Sequence, residues 1–155
     1  MLDAYGLEGR TYIVTGGGQG VGRALVEFGL ARGANIAMVD ISRDLLAATA
    51  AELDHPNLLP LHLDVTDEAA VDAAVGDTVG RFGDLHGLIN NAGIIRTAMA
   101  HEMTLAQWRQ VVDVNLTGAF LCLRAVGRVL LAKAEKGDTA PGRIVNISSD
   151  AGRRG

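Results

Sequence analysis

The chain has 155 residues, a formal net charge of −4 and 48% hydrophobic residues, with only 4% aromatic. That length and composition suit one Ala/Val/Leu/Gly-rich α/β domain with a sizeable core. The acidic balance, with no basic cluster longer than Arg153-Arg154, argues against nucleic acid as a partner, and apolar runs such as Val129-Leu130-Leu131-Ala132 are too short to span a bilayer.

The N-terminus carries Asp3 and Glu8 and no long apolar stretch, so no signal peptide is expected. The single cysteine, Cys122, excludes an intrachain disulfide and suits a reducing cytoplasm. Lying in an apolar helical run, it reads as a small buried hydrophobe.

Strand and helix patterns alternate along the whole chain. Strands are predicted near 11–15, 35–39, 58–63, 86–90 and 143–148, and helices near 20–32, 43–53, 67–81 and 104–135. The first strand, Tyr12-Ile13-Val14-Thr15, runs into the glycine-dense turn Gly16-Gly17-Gly18-Gln19-Gly20-Val21-Gly22. A helix pattern with Ala24, Leu25, Phe28, Leu30 and Ala31 on its apolar side follows at once. Glycines let a backbone approach a phosphate closely, and the unpaired N–H groups of a first helical turn attract anions. A dinucleotide held by its pyrophosphate is the expected ligand.

The spacing excludes two common alternatives. Val21 stands where a third glycine of G-x-G-x-x-G would follow Gly16 and Gly18, and Gly22 is followed by Arg23-Ala24 instead of the Lys and Ser/Thr of a P-loop.

Asn35 to Asp40 is a continuous apolar run closed by an acid, as in a strand buried on both faces. In a doubly wound fold that acid meets the adenosine ribose, where it accepts from the hydroxyls and repels a 2′-phosphate, favouring NAD over NADP; Asp40-Ile41-Ser42 as a plain turn and helix cap is the other reading. Arg43 lies close by, where an arginine would accept that phosphate. Thr66-Asp67-Glu68 supplies a cap and acids to the third helix. Thr104 caps the long fourth one, along which Leu105, Trp108, Val112, Leu116, Ala119, Leu123, Val126 and Leu130 recur at steps of three and four. That stripe is expected to be core packing, or partly an interface between subunits. His55, His62, His86 and His101 form no metal-ligand set, and no metal site is expected. Alternating strands and crossover helices imply a parallel, doubly wound α/β sheet.

Thr15-Gly16-x-x-x-Gly20-x-Gly22 resembles the short-chain dehydrogenase/reductase family. So do Leu88-Ile89-Asn90-Asn91-Ala92-Gly93, Asp113-Val114-Asn115-Leu116-Thr117-Gly118 and Arg143-Ile144-Val145-Asn146-Ile147-Ser148-Ser149, all in the family's order. The resemblance covers nearly the whole chain and implies a Rossmann-like sheet of order 3-2-1-4-5. It implies that Thr15, Gly16, Gly18, Gln19, Gly20, Val21 and Gly22 cradle the pyrophosphate, with Asp40 on the ribose. Asp64 would meet the adenine amino group with Val65 framing the base, and Asn91, Ala92 and Gly93 would let the backbone pass close to the cofactor. Asn115 would bend its helix and hold a water of a proton relay, and Ser149 would bond the reacting oxygen.

The implied activity is NAD-dependent hydride transfer on an alcohol or carbonyl of a small molecule, in a cytoplasmic homo-oligomer. Among the family's branches the chain leans toward members like the 3-oxoacyl carrier-protein reductases. The family's Tyr-x-x-x-Lys acid–base pair has no counterpart here. The only tyrosines are Tyr5 and Tyr12, and the residues four further on are Gly9 and Gly16. Residues 1–155 are accordingly expected to be one NAD(P)-binding domain, truncated after the fifth strand. A non-catalytic dinucleotide-binding or interaction module is the other reading.

Overall fold

A computed structural model of the protein describes residues 6–140 and 142–150; Tyr5 and Arg153-Arg154 lie outside them. Five parallel strands, β1 (Thr11–Thr15), β2 (Asn35–Asp40), β3 (Leu58–His62), β4 (Gly87–Asn90) and β5 (Arg143–Asn146), form one sheet in the order β3-β2-β1-β4-β5. The helices are α1 (Gly20–Leu30), α2 (Arg43–Leu53), α3 (Glu68–Phe82), α4 (Leu105–Val112) and α5 (Ala119–Glu135), the last two joined through a π-helical segment, Asp113–Gly118.

Alternation along the strands splits the core in two. Val14, Ile36 and Met38 pack with Val26 and Leu30 of α1 and Leu46 of α2 on one face. Ile13, Ala37, Val39 and Leu88 pack with Val71 and Val75 of α3 and Leu121, Cys122 and Val126 of α5 on the other. β2, central to both clusters, is buried from Ile36 to Asp40, as its unbroken apolar run predicts. Side-chain caps start three helices: Ser42 accepts from Leu45 N, Asp67 from Ala70 N, and Thr104 shares a capping box with Gln107.

Two expectations are corrected and a third is narrowed. The buried side of α1 is Gly22, Val26, Gly29 and Leu30, with Phe28 41% exposed beneath the Arg32 guanidinium. Close approach decides this face, because a Cβ on Gly29 would lie 2.8 Å from Ile36 Cδ1. The long-helix stripe is core only in its C-terminal part, and its exposed part fits the subunit-interface alternative. Val126 and Leu130 are buried, but Leu105, Trp108, Leu116 and Leu123 are exposed. The π segment spends more than 3.6 residues on its turn, so the helix face reaching the sheet beyond it is Leu121, Cys122, Ala125, Val126 and Leu130. β5 ends at Asn146, two residues short of the expected end. Ile147 N still donates to Asn90 O at 2.9 Å, but Asn90 is the last residue of β4.

The 31-residue span Leu105–Glu135 is long and apolar enough, by length and composition, to cross a membrane, which counting uninterrupted apolar runs did not register. Its inner face is packed on the sheet. Cys122 is buried there, and burial pushes its thiol up to about 11, so it is protonated at neutral pH.

At the N-terminal edge of the sheet, His86 Nδ1 accepts the N–H of Thr11 at 3.1 Å. Burial, aided by the nearby Lys133 charge, holds the imidazole below its ordinary value of 6.5. The native state therefore binds fewer protons than the unfolded chain. The stabilisation is complete above pH 6.5 and is lost as pH falls through the lower native value. Thermal melts at about pH 7.5 and about pH 5.5 should show a Tm loss on acidification that is smaller in His86→Asn, whose amide oxygen accepts from Thr11 without titrating. An equal loss in both proteins would assign it to other groups.

Candidate functional site

The C-terminal ends of β1, β2 and β4 open onto a cleft of about 300 Å³ lined by Gly16, Gln19, Val39, Asp40, Ile41, Leu63, Asp64, Val65, Asn91, Ala92, Gly93, Ile94 and Val114. α1 leaves the sheet on one side of β1 and the chain after β4 on the other, so the crevice lies at a topological switch point.

One wall is the glycine turn. Gly17 N donates to Val39 O at 2.9 Å, and Gly18 N to Asp40 Oδ2 at 2.9 Å. Gly22 is required by packing, since a Cβ there would lie 2.0 Å from Gly16 O. Gly20 is required by conformation: its φ is +55°, and the space where a Cβ would sit is open. The N-cap of α1 is Gln19, which is extended and makes no side-chain cap bond. Among the described residues, no side chain caps the N–H groups of the first turn, Gly20, Val21 and Gly22, a feature not shared by α2, α3 or α4.

The opposite wall follows β4. Thr15 Oγ1 donates to Ile89 O at 3.4 Å and accepts Asn91 N and Ala92 N, each at 3.0 Å. The Asn91 amide returns to Thr15 O at 3.1 Å and Gly16 O at 3.2 Å. Thr15 is 1% exposed and its hydroxyl is fully used, so it holds the two walls together and does not itself line the cleft. Asn115, in the π segment, pairs with the backbone of Ile94 through both ends of its amide, accepting from Ile94 N at 2.8 Å and donating to Ile94 O at 2.9 Å.

Two acids stand at the far end. Asp40 is 8% exposed, and its second oxygen accepts Ser42 N at 2.9 Å. Each carboxylate oxygen has a further lone pair for a ligand hydroxyl. Asp64 Oδ1 takes Thr66 N at 2.9 Å and Thr66 Oγ1 at 2.8 Å, fixing that carboxylate beside Val65.

Of the residues singled out from sequence, the structure brings Gly16, Gln19, Asp40, Asp64, Val65, Asn91, Ala92 and Gly93 to one cleft. Gly18, Gly20, Val21, Gly22, Thr15 and Asn115 support it from the turn, the helix start, the strand end and the π segment. Ser149 is exposed past the end of β5 and is not among the lining residues. Sequence reasoning missed the apolar lining residues Val39, Ile41, Leu63, Ile94 and Val114. Their signal was adjacency to Asp40, Asp64, Gly93 and Asn115, which places a neighbour on the same wall.

The cleft fits an adenine dinucleotide: an uncapped helix start for the diphosphate, a buried carboxylate for the ribose, and apolar walls at Val65 and Ile41 for a base. Among known proteins, a sorbitol dehydrogenase from Cereibacter sphaeroides is 36% identical over 149 residues, 96% of this chain and 56% of that protein. A 2-dehydro-3-deoxy-L-rhamnonate dehydrogenase (NAD(+)) from a Sphingomonas strain is 39% identical over 148 residues, 95% of this chain and 56% of that protein. A solved structure from Novosphingobium aromaticivorans, assigned to the short-chain dehydrogenases, superposes with a TM-score of 0.89 at 31% identity, covering 93% of this chain and 54% of that one. The chain thus spans about half the length of the curated relatives it matches. The family model for short chain dehydrogenase matches residues 10–155. With the parallel sheet in order β3-β2-β1-β4-β5 and the cleft at its switch point, the chain belongs to the short-chain dehydrogenase family.

Proposed function

We propose that the chain binds NAD in preference to NADP and forms the cofactor-binding part of an oxidoreductase acting on alcohol or carbonyl groups of small molecules. The observation that carries this reading is Asp40, which lines the cleft while its carboxylate accepts the N–H of Gly18 in the glycine turn. Ribose recognition and diphosphate recognition are then parts of one hydrogen-bonded unit. The names of the relatives, a sorbitol dehydrogenase and an NAD(+)-dependent sugar-acid dehydrogenase, agree with it.

When bound, the nicotinamide dinucleotide would supply the hydride acceptor or donor. The chain's own residues bind and orient. Asp40 takes the 2′- and 3′-hydroxyls, and its charge opposes a 2′-phosphate. Gly20, Val21 and Gly22 present N–H groups to the diphosphate. Asp64 and Val65 meet the base, and the backbone of Asn91, Ala92 and Gly93 forms the floor. Asn115 keeps Ile94, a lining residue, in place. Ser149, at the same edge of the sheet, is assigned to the substrate oxygen. The reading places the protein in the cytoplasm as a homo-oligomer.

Replacing Asp40 by Ala removes charge-assisted hydrogen bonds worth about 1.5–3 kcal/mol, so NADH affinity should fall by about tenfold or more while NADPH affinity changes less. Fluorescence titration of both cofactors measures this. Tighter NADPH binding by the native chain would reassign the selectivity to Arg43.

The 155-residue chain should also show no appreciable turnover with NAD(H) and a panel of polyols, ketones and acyl thioesters. Tyr12 packs beside Gly87 within the sheet and supplies no acid–base group to the cleft. Loss of such a group costs about 10²–10⁴-fold. Activity abolished by Ser149→Ala would show that another residue moves the proton.

Leu105, Trp108, Leu116, Phe120, Leu123 and Leu131 are exposed along α4, the π segment and α5. Light scattering should report a species larger than a monomer. A monodisperse monomer would remove self-association from the reading.

A further inference from the structure

Thr49 lies inside α2, 2% exposed, and takes no part in the proposed cofactor contacts. A buried threonine within a helix ordinarily gives its hydroxyl proton to the carbonyl four residues back. Thr78 in α3 does so, to Ala74 O at 2.7 Å. Thr49 instead donates out of its helix, to Gly18 O at 2.8 Å, 31 positions away in sequence.

Gly18 is buried, and its N–H is already committed to Asp40 Oδ2 at 2.9 Å. The peptide groups on both sides of this glycine are therefore fixed by side chains. A trans peptide is planar with its C=O and N–H antiparallel. Anchoring Gly18 O on Thr49 therefore turns the N–H of Gln19 away from α2. Gln19 is the N-cap of α1, makes no side-chain cap bond and lines the cleft. A glycine turn left free would adopt many orientations, and ordering it on binding would oppose affinity.

We propose that Thr49 is a positioning residue for the cofactor diphosphate: through the Gly18 carbonyl it fixes the Gly18–Gln19 peptide and holds the start of α1 in its binding orientation before ligand arrives. The proposal rests on the dinucleotide reading and extends it to a residue in a neighbouring helix. The unit then runs from the Thr49 hydroxyl through Gly18 to the Asp40 carboxylate, joining α2, the glycine turn and the end of β2.

The test is NADH titration of the 155-residue chain and its Thr49→Val and Thr49→Ser variants, at a temperature well below every melt. Valine keeps the shape and removes the donor; serine keeps the donor and removes a methyl. The expected result is NADH affinity weakened about tenfold in Thr49→Val and near native in Thr49→Ser. Native affinity in Thr49→Val overturns the proposal, as does equal weakening in both variants, which would make the methyl packing decisive. Should Thr49→Val not fold, Thr49→Ala takes its place under the same comparison. Failure of both hydroxyl-free variants to fold would assign Thr49 a structural role and overturn the proposal too. Absence of NADH binding by the native chain is a separate outcome, which removes the dinucleotide reading itself and the proposal with it.

Discussion

The hydroxyl of Thr15 donates to Ile89 O and receives the N–H groups of Asn91 and Ala92, while the Asn91 amide closes back onto Thr15 O and Gly16 O. This small set of bonds holds the last residue of β1 to the first residues after β4, at the place where the chain leaves the sheet in opposite directions. Both walls of the cleft are anchored there. A buried backbone N–H without a partner costs about 1–3 kcal/mol, so the pairing of two of them on one hydroxyl is a strong local constraint. Once it is met, the glycine turn and the Asn-Asn-Ala-Gly segment face each other, and the crevice between them results from chain direction.

Asp40 has a double duty of the same kind. Its carboxylate caps Gly18 N and Ser42 N, which holds the glycine turn to β2 and starts the α2 turn. Those bonds also keep the acid in one orientation at 8% exposure, where hydrogen bonds to a ligand are stronger than in bulk water. A carboxylate lining the cleft is thus already immobilised by the fold. Both carboxylate oxygens carry a structural bond, one to the glycine turn and one to the start of α2, so the turn and the acid are held as one unit.

The π segment performs the corresponding work on the other wall. It presents Asn115 to both backbone groups of Ile94 and brings Val114 to the cleft, and a Cβ on Gly118 would lie 2.6 Å from Val65 Cγ2. A regular α-helix through 113–118 would present a different set of side chains to these partners. Beyond the widened turn, Leu121, Cys122, Ala125 and Val126 of α5 pack on the sheet, while Leu116 of the π segment and Phe120 and Leu123 of α5 are exposed.

The sequence by itself determined the alternation of strands and helices, the run of glycines at a strand-to-helix junction, the acid closing β2 and the amide-rich turn after β4. Each is local, set by backbone conformation, apolar periodicity or a side chain acting on its own chain neighbours. This is why eight of the residues singled out from sequence line the cleft. What depended on partners distant in sequence was decided only by the tertiary structure. Bulk favoured Phe28 as a buried residue of α1, but approach distance chose Gly22 and Gly29. Steps of three and four favoured one stripe from Leu105 to Leu130, but α4 buries none of its residues and the face packed on the sheet begins only at the end of the wide turn. Thr15 reads from sequence as a ligand contact, yet its hydroxyl is consumed by residues 74 to 77 positions away. Thr49 carries no motif at all, and only the packing of α2 against the glycine turn shows where its proton goes. Local chemistry is written in neighbouring letters; the use a buried hydroxyl is put to depends on which distant carbonyl the folded chain brings within reach.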